Sequence, residues 1–322
     1  MKTALVTGAT GKIGRLLVPE LLRQNFRVRL FLRKKSTISS PNLDIFYGDI
    51  TDYQSVAAAV SGVDYIFHLA ALLHISNPKA SMYGKFYAVN VVGTKNIVDA
   101  AICAGVKRVI LFSTISVYGV TPSNSYEYVN KVFSESSPAN PLTIYAKTKL
   151  LAEQYQASCV TVLRLASVYG TQVTGNYLRL IEAVKRGFFI IPVDKNGSSV
   201  NRTLIHENDV VAGAIYVATH PQAAGKIYNL TDGYVHSLED IIRAIANGLP
   251  LDIKILKISK EPLKIIVDFL QKYRGNNIEK IAFYIDKLME NIAVDGQKIQ
   301  KELGFKPKYN LQNGWYHALS KK

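Results

Sequence analysis

The chain is poor in cysteine, in acidic residues and in long apolar runs. Its two cysteines among 322 residues, Cys103 and Cys159, exclude a disulfide framework, and neither has a second Cys or a His at metal-ligand spacing. Both lie in apolar surroundings and read as buried thiols. No stretch approaches the ~18 apolar residues of a membrane-spanning helix, so no transmembrane segment is expected. Met1-Lys2-Thr3-Ala4-Leu5-Val6 meets Thr7 and Gly8 too early for a secretory leader, which makes the cytoplasm the expected compartment. Acids number 24 against 39 Lys and Arg, leaving a net charge of +15. The lysines are spread along the chain rather than interleaved with exposed aromatics, so no nucleic-acid surface is indicated. Solvated surface or an anionic nucleotide ligand accounts for the charge.

What is present is a 48% hydrophobic composition, enough to bury a large core. Thr3 to Val6, Val28 to Leu32, Asp44 to Tyr47, Tyr65 to Leu69, Val109 to Phe112 and Val160 to Leu165 read as buried strands. Helical patterns lie between them, at Ile13 to Arg23, Tyr53 to Val60, Asn90 to Ala104 and Ile144 to Gln156. This alternation predicts an α/β fold, a doubly wound parallel sheet covered on both faces, with ligands at the carboxyl ends of its strands. After about Val168 the rhythm loosens. Residues 1–170 are expected to form the dinucleotide-binding domain, with 204–232 rejoining its sheet through Lys226 to Leu230. Residues 171–203 and 233–322 form a smaller C-terminal substrate-binding lobe. Within the latter, Glu261 to Glu290 carries apolar residues near helical spacing and reads as a two-helix cap, with a dimer interface or membrane-surface contact as alternatives.

Two motifs carry chemistry. Gly8, Gly11 and Gly14 follow the first strand and open the first helix, where missing Cβ atoms let the backbone approach a pyrophosphate and the helix N-terminus offers it N–H groups. The second strand then ends in Arg33-Lys34-Lys35, with no acid to accept a bond from the adenosine ribose. A basic cluster there suits a 2′-phosphate, so NAD(P) is expected with NADP preferred; ordinary surface charge is the rival explanation. Downstream, Tyr145 and Lys149 share one helix face, and Ser113-Thr114 closes the preceding strand. In a chain with 19 tyrosines the Tyr-x-x-x-Lys spacing alone means little; its place after that strand gives it weight. For Tyr145 to act as a base at neutral pH it must titrate about 3 pH units lower than usual, about 4 kcal/mol of stabilisation. Lys149 and an oxidised nicotinamide, both cationic, are expected to supply it.

With Gly48-Asp49-Ile50-Thr51-Asp52, His68-Leu69-Ala70-Ala71, Asn90-Val91-Val92-Gly93-Thr94, Val117-Tyr118-Gly119, and Arg164 with Tyr169-Gly170 in the same order, the chain resembles the extended short-chain dehydrogenase/reductases of the NAD-dependent epimerase/dehydratase family. The resemblance implies a Rossmann-type fold. It assigns catalysis to Thr114, Tyr145 and Lys149, the last two also touching the cofactor. Cofactor contacts fall to Gly8, Thr10, Gly11, Lys12, Ile13, Gly14, Arg33, Asp49, Ile50, Leu69, Ala70, Ala71 and Asn90. Leu73, Thr114, Ser116, Asn176 and Arg202 are assigned to substrate. On the residues themselves Asp49 also suits a plain turn, Asn90 a helix start, and His68 a hydrogen-bonded core position.

Gly175 to Leu180, Asn201 to His206 and the tail from Asn291 to Pro307 are similar to segments of nucleotide-sugar epimerases of surface-polysaccharide pathways. An Arg fork matches a diphosphate bidentately, as Arg202 would. The implied activity is epimerisation at C4 of a nucleoside-diphosphate sugar, by a protein expected to be a homodimer. An NADPH-dependent carbonyl or keto-sugar reductase is the alternative, favoured by Arg33-Lys34-Lys35. A non-catalytic dinucleotide sensor is a third reading, opposed by the intact Thr114, Tyr145 and Lys149. Ile115 and Ser116 after Thr114 supply no acid, which argues against dehydration.

Overall fold

A computed structural model describes residues 1–36, 38–73, 80–119, 132–172, 175–260, 262 and 291–320. The expected cap over 261–290 lies, except for Pro262, outside the described residues. The first half alternates β1 (Thr3–Thr7), α1 (Gly14–Arg23), β2 (Arg27–Leu32), β3 (Leu43–Tyr47), α2 (Tyr53–Val60), β4 (Tyr65–His68), α3 (Tyr83–Tyr87), α4 (Gly93–Cys103), β5 (Arg108–Thr114), β6 (Val132–Phe133), α5 (Ile144–Glu153) and β7 (Val160–Leu165). The second half continues with β8 (Ser167–Tyr169), α6 (Gly175–Val184), β9 (Phe188–Val193), β10 (Asn201–Arg202), β11 (Leu204–His206), α7 (Glu207–Thr219), β12 (Ile227–Leu230), β13 (His236–Ser237), α8 (Leu238–Gly248), β14 (Lys254–Ser259), β15 (Ala293–Val294), α9 (Gln297–Leu303) and α10 (Leu311–Leu319).

Seven strands form one sheet in the order β12-β7-β5-β4-β1-β2-β3, every pair parallel. The apolar runs of β1, β4, β5 and β7 are buried on both faces, which is why they lack the in–out alternation of a one-sided sheet. One face packs on α1 and α7 through Leu17, Leu21, Val210 and Ala214; the other packs on α2 and α4 through Val56, Val60, Ile97 and Ala101. The chain winds outward from β1 in both directions, so the β1–β4 boundary is a topological switch point whose crevice opens at the carboxyl ends of the strands. β12 closes the far edge against β7, as expected for Lys226 to Leu230.

A second core forms around Trp315, which stacks on Tyr169 at 4.6 Å and joins Leu180, Ile181, Leu238, Ile242 and Ile245. Short ribbons, β8–β11, β9–β14 and β10–β13, pair outside the main sheet.

Two expectations are corrected. Cys103 is exposed and Cys159 only half-buried: one ends α4 facing outward near the Tyr53 hydroxyl, and the other stands just before β7 begins. The helix expected over Asn90 to Ala104 is preceded by a π-helical turn, Ala88–Val92, so that α4 proper starts at Gly93. Gly93 sits there because a Cβ would meet the Ile50 side chain at 2.9 Å.

Candidate active site

The glycine turn is shaped by close approach. Gly8 adopts φ +69°, and a Cβ on it would lie 2.7 Å from Ala70 N; one on Gly14 would lie 2.5 Å from Gly8 O. At Gly8 and Gly14 the backbone of β1, α1 and the segment after β4 therefore approaches too closely for any side chain. At the head of α1 the N-cap Ile13 provides no side-chain bond and the first turn holds no acid, whereas α2 is capped by Asp52 and α8 by Ser237. A helix N-terminus with no side-chain cap and no acid turns its positive end to a pyrophosphate, so the turn fits a dinucleotide. Thr10 and Gly11 are exposed, Lys12 and Ile13 half-buried.

Beside this turn, His68 is completely enclosed. Ala70 N donates to Thr7 Oγ1 (3.1 Å), leaving the Thr7 hydroxyl to donate to His68 Nδ1 (2.8 Å). Thr94 Oγ1 gives its proton to Asn90 O (2.7 Å), so His68 Nε2–H donates to Thr94 (3.0 Å). Burial, reinforced by the Lys149 charge, lowers its pKa to about 3 and keeps it neutral. It is the hydrogen-bonded core histidine its surroundings suggested.

Asn90 does more than begin a helix. Its amide accepts from Leu72 N (2.7 Å) and donates to Leu72 O (3.1 Å) and Thr148 Oγ1 (3.0 Å), fastening the Leu69–Leu72 segment to α5. Leu69, Ala70 and Ala71 are half-buried there and Leu73 is exposed. Asp49 Oδ1 accepts from Thr51 N (2.9 Å) and Thr51 Oγ1 (2.8 Å), bonds that hold its carboxyl below the usual carboxylate range, with the Arg33 charge contributing. Arg33 and Asp49 thus share one corner at the ends of β2 and β3. Ile50 is buried and accepts from Asn96 Nδ2 through its carbonyl.

Thr114 ends β5 and caps a 3-10 turn, Ile115–Tyr118, its hydroxyl accepting from Ser116 N (3.2 Å) and donating to Ser116 Oγ (3.1 Å). Helix α5, capped by Thr143, packs on β5 and on this turn, bringing Tyr145, Lys149, Thr114 and Ser116 to the same edge of the sheet as the glycine turn. Burial pushes the Tyr145 phenol up to about 12 and pulls the Lys149 ammonium down to about 8, the latter opposed by Glu153. Burial thus works against the stabilisation expected of Lys149 and an oxidised nicotinamide together. Asn176 stands exposed in the first turn of α6 and Arg202 half-buried in β10, which is not a strand of the seven-stranded sheet.

Sequence reasoning missed a buried network behind Lys149. Ser113 Oγ donates to Glu153, which is also clasped by Arg164 at 2.6 Å; Arg164 Nη1 donates to Tyr118 OH (2.9 Å), which donates to Asn229 (2.7 Å). A carboxylate one turn after Lys149 on the same helix face was the available signal. Also missed was the ion pair of Lys12 with Glu207, for which the chain offers no local signal.

A model described as the NAD dependent epimerase/dehydratase family matches residues 4–231. The chain belongs to this family. UDP-glucose 4-epimerase of Vibrio cholerae is 27% identical, with 98% of this chain and 93% of that protein covered. A 3 beta-hydroxysteroid dehydrogenase/Delta 5→4-isomerase of Mycobacterium tuberculosis is 26% identical, with 98% and 89% covered. Among solved structures, MoeE5 in complex with UDP-glucose and NAD superposes with a TM-score of 0.72 at 26% identity, covering 99% and 97% of the two chains. A short-chain dehydrogenase/reductase superfamily protein from Agrobacterium tumefaciens with bound NAD shares the fold, with a TM-score of 0.74, 22% identity and 99% and 96% coverage. As a member of the family the protein is an NAD-dependent enzyme of the epimerase and oxidoreductase kind.

Proposed function

We infer that the protein epimerises a nucleoside-diphosphate sugar at C4. What supports this reading is that α5, which carries Tyr145 and Lys149, packs on β5, which ends at Thr114, in the same sheet whose first strand leads into the glycine turn. The nicotinamide, when bound, supplies a hydride acceptor that later returns what it took. The chain's own residues do the rest. Thr114 orients the sugar hydroxyl, the Tyr145 phenolate takes its proton as the 4-keto sugar forms, and the same phenol returns the proton after the sugar has turned over. Lys149 holds the nicotinamide ribose and places a positive charge near the phenol. Arg202 binds the diphosphate bidentately, with Asn176 beside it and Leu73 and Ser116 bordering the sugar. Arg33 faces the adenosine ribose, and on its charge we assign a preference for NADP over NAD.

Burial pushes the Tyr145 phenol up to about 12, so the phenolate needs cations beside it, which Lys149 and the oxidised nicotinamide, when bound, would supply together. The test is incubation of the purified enzyme with UDP-glucose, UDP-N-acetylglucosamine and their 4-epimers without added dinucleotide. Interconversion is expected. Consumption of NADPH with a keto substrate and no interconversion would replace this reading by the reductase, which the acid-free Arg33-Lys34-Lys35 corner favours.

A further inference from the structure

The Lys12 ammonium emerges from the glycine turn and meets Glu207 Oε2 at 3.2 Å. The two ends of this pair are unequal. The Lys12 side chain is 29% exposed and can swing, whereas that of Glu207 is 2% exposed and cannot. Its other oxygen, Oε1, accepts from both Thr171 N and Thr171 Oγ1 at 2.7 Å. The carboxyl occupies the space a Cβ on Gly170 would need, 2.0 Å from Cδ, so residue 170 has to be glycine for Glu207 to sit there. The preceding His206 accepts from Asn208 N at 3.2 Å and stacks on Tyr309 at 3.9 Å, fixing the start of α7. Oε2 is buried with no hydrogen-bond partner among the described residues and has only the Lys12 charge to balance it. Moving Lys12 away would leave a buried carboxylate uncompensated.

We propose that Glu207 is a positioning residue that competes with the dinucleotide pyrophosphate for Lys12 and so limits how tightly and how long the cofactor is held. One ammonium faces two anions, one of them built into the root of the second lobe. Each increment of Lys12 attraction given to the pyrophosphate is withdrawn from Glu207. The cofactor's hold on the turn is thereby linked to the Gly170–Thr171 segment from which the second lobe departs.

This inference rests on the family-level dinucleotide reading and not on the sugar, so its test needs no turnover. Isothermal titration of the full chain with NAD+ and NADP+ at low and at 0.5 M salt compares wild type, Glu207→Gln, Lys12→Gln and the double variant. Glu207→Gln keeps the shape beside Gly170 and is expected to tighten binding about five- to tenfold at low salt, and less at high salt. Lys12→Gln, which leaves Glu207 without its cation, is expected to weaken binding several-fold. The tightening must vanish in the double variant, because it acts through Lys12. Unchanged or weaker binding by Glu207→Gln overturns the proposal, as does tightening that survives loss of Lys12. Should Glu207→Gln not fold, unchanged affinity in Lys12→Gln overturns it equally. A wild type that binds dinucleotide but turns over no nucleotide sugar defeats the proposed function and leaves this inference standing; one that binds no dinucleotide defeats both.

Discussion

At Tyr145, half-buried in α5, burial opposes the chemistry proposed for it by pushing the phenol up to about 12, away from neutrality. In the proposed mechanism it is this hydroxyl that carries the proton. Tyr145→Phe is expected to lower kcat by roughly 10²–10⁴-fold while leaving dinucleotide affinity unchanged. Turnover at the wild-type rate would remove Tyr145 from the mechanism. One turn further, Glu153 offsets part of the desolvation of Lys149 and balances Arg164, whose guanidinium is equally enclosed. Substituting Glu153→Gln strands Arg164, and breaking a buried pair in this way costs about 3–5 kcal/mol. A urea titration of the variant followed by circular dichroism reads that loss directly; a midpoint equal to wild type would show that Arg164 finds another partner.

The sequence-to-element relation is clearest where local and global preferences agree. Helix α2 spans Tyr53–Val60 and β7 spans Val160–Leu165, the same limits that periodicity indicates, because each has an apolar pattern matched to its surroundings and α2 is entered through the Asp52 cap. The π-turn before α4 was not legible, since its cause is the fit of Gly93 against Ile50 and of Asn90 against Leu72 and Thr148, all tertiary contacts. At the first helix the requirement is stricter. Gly14→Ala places a methyl within 2.5 Å of Gly8 O, where backbone cannot yield. We expect it to abolish measurable dinucleotide binding in a titration. Retained affinity would mean that α1 shifts as a unit.

For the molecule as a whole, two enclosed imidazoles tie stability to pH. Burial lowers His68 to about 3, and burial together with the His317 and Lys12 charges lowers His206 to about 4, against a usual value near 6.5. Below 6.5 the unfolded chain binds protons that the folded one refuses, so stability is fully present above that pH. It is lost progressively as pH falls toward 4 for His206 and 3 for His68. Urea midpoints measured at pH 7, 6 and 5 should decline, by less than the histidines alone would give because burial raises the Glu135 and Asp209 carboxyls and their protonation opposes the loss. A flat profile over that range would mean that the histidines are hydrated.

The seven strands of the main sheet, the helices α1, α2, α4 and α5 between them, the glycine turn and the family were legible in the chain, because each is written in residues close together; the elements after β7, β12 apart, were not. Legible as well was the pairing of Tyr145 with Lys149, which one helical turn enforces. Tertiary structure alone decided the rest: that Cys103 faces outward, that Asn90 clamps Leu72 to α5, that Glu153 is held by Arg164, and that Lys12 answers to Glu207. These depend on which side chains meet after distant segments pack. Burial, which sets what each charge costs, exists only in the folded chain.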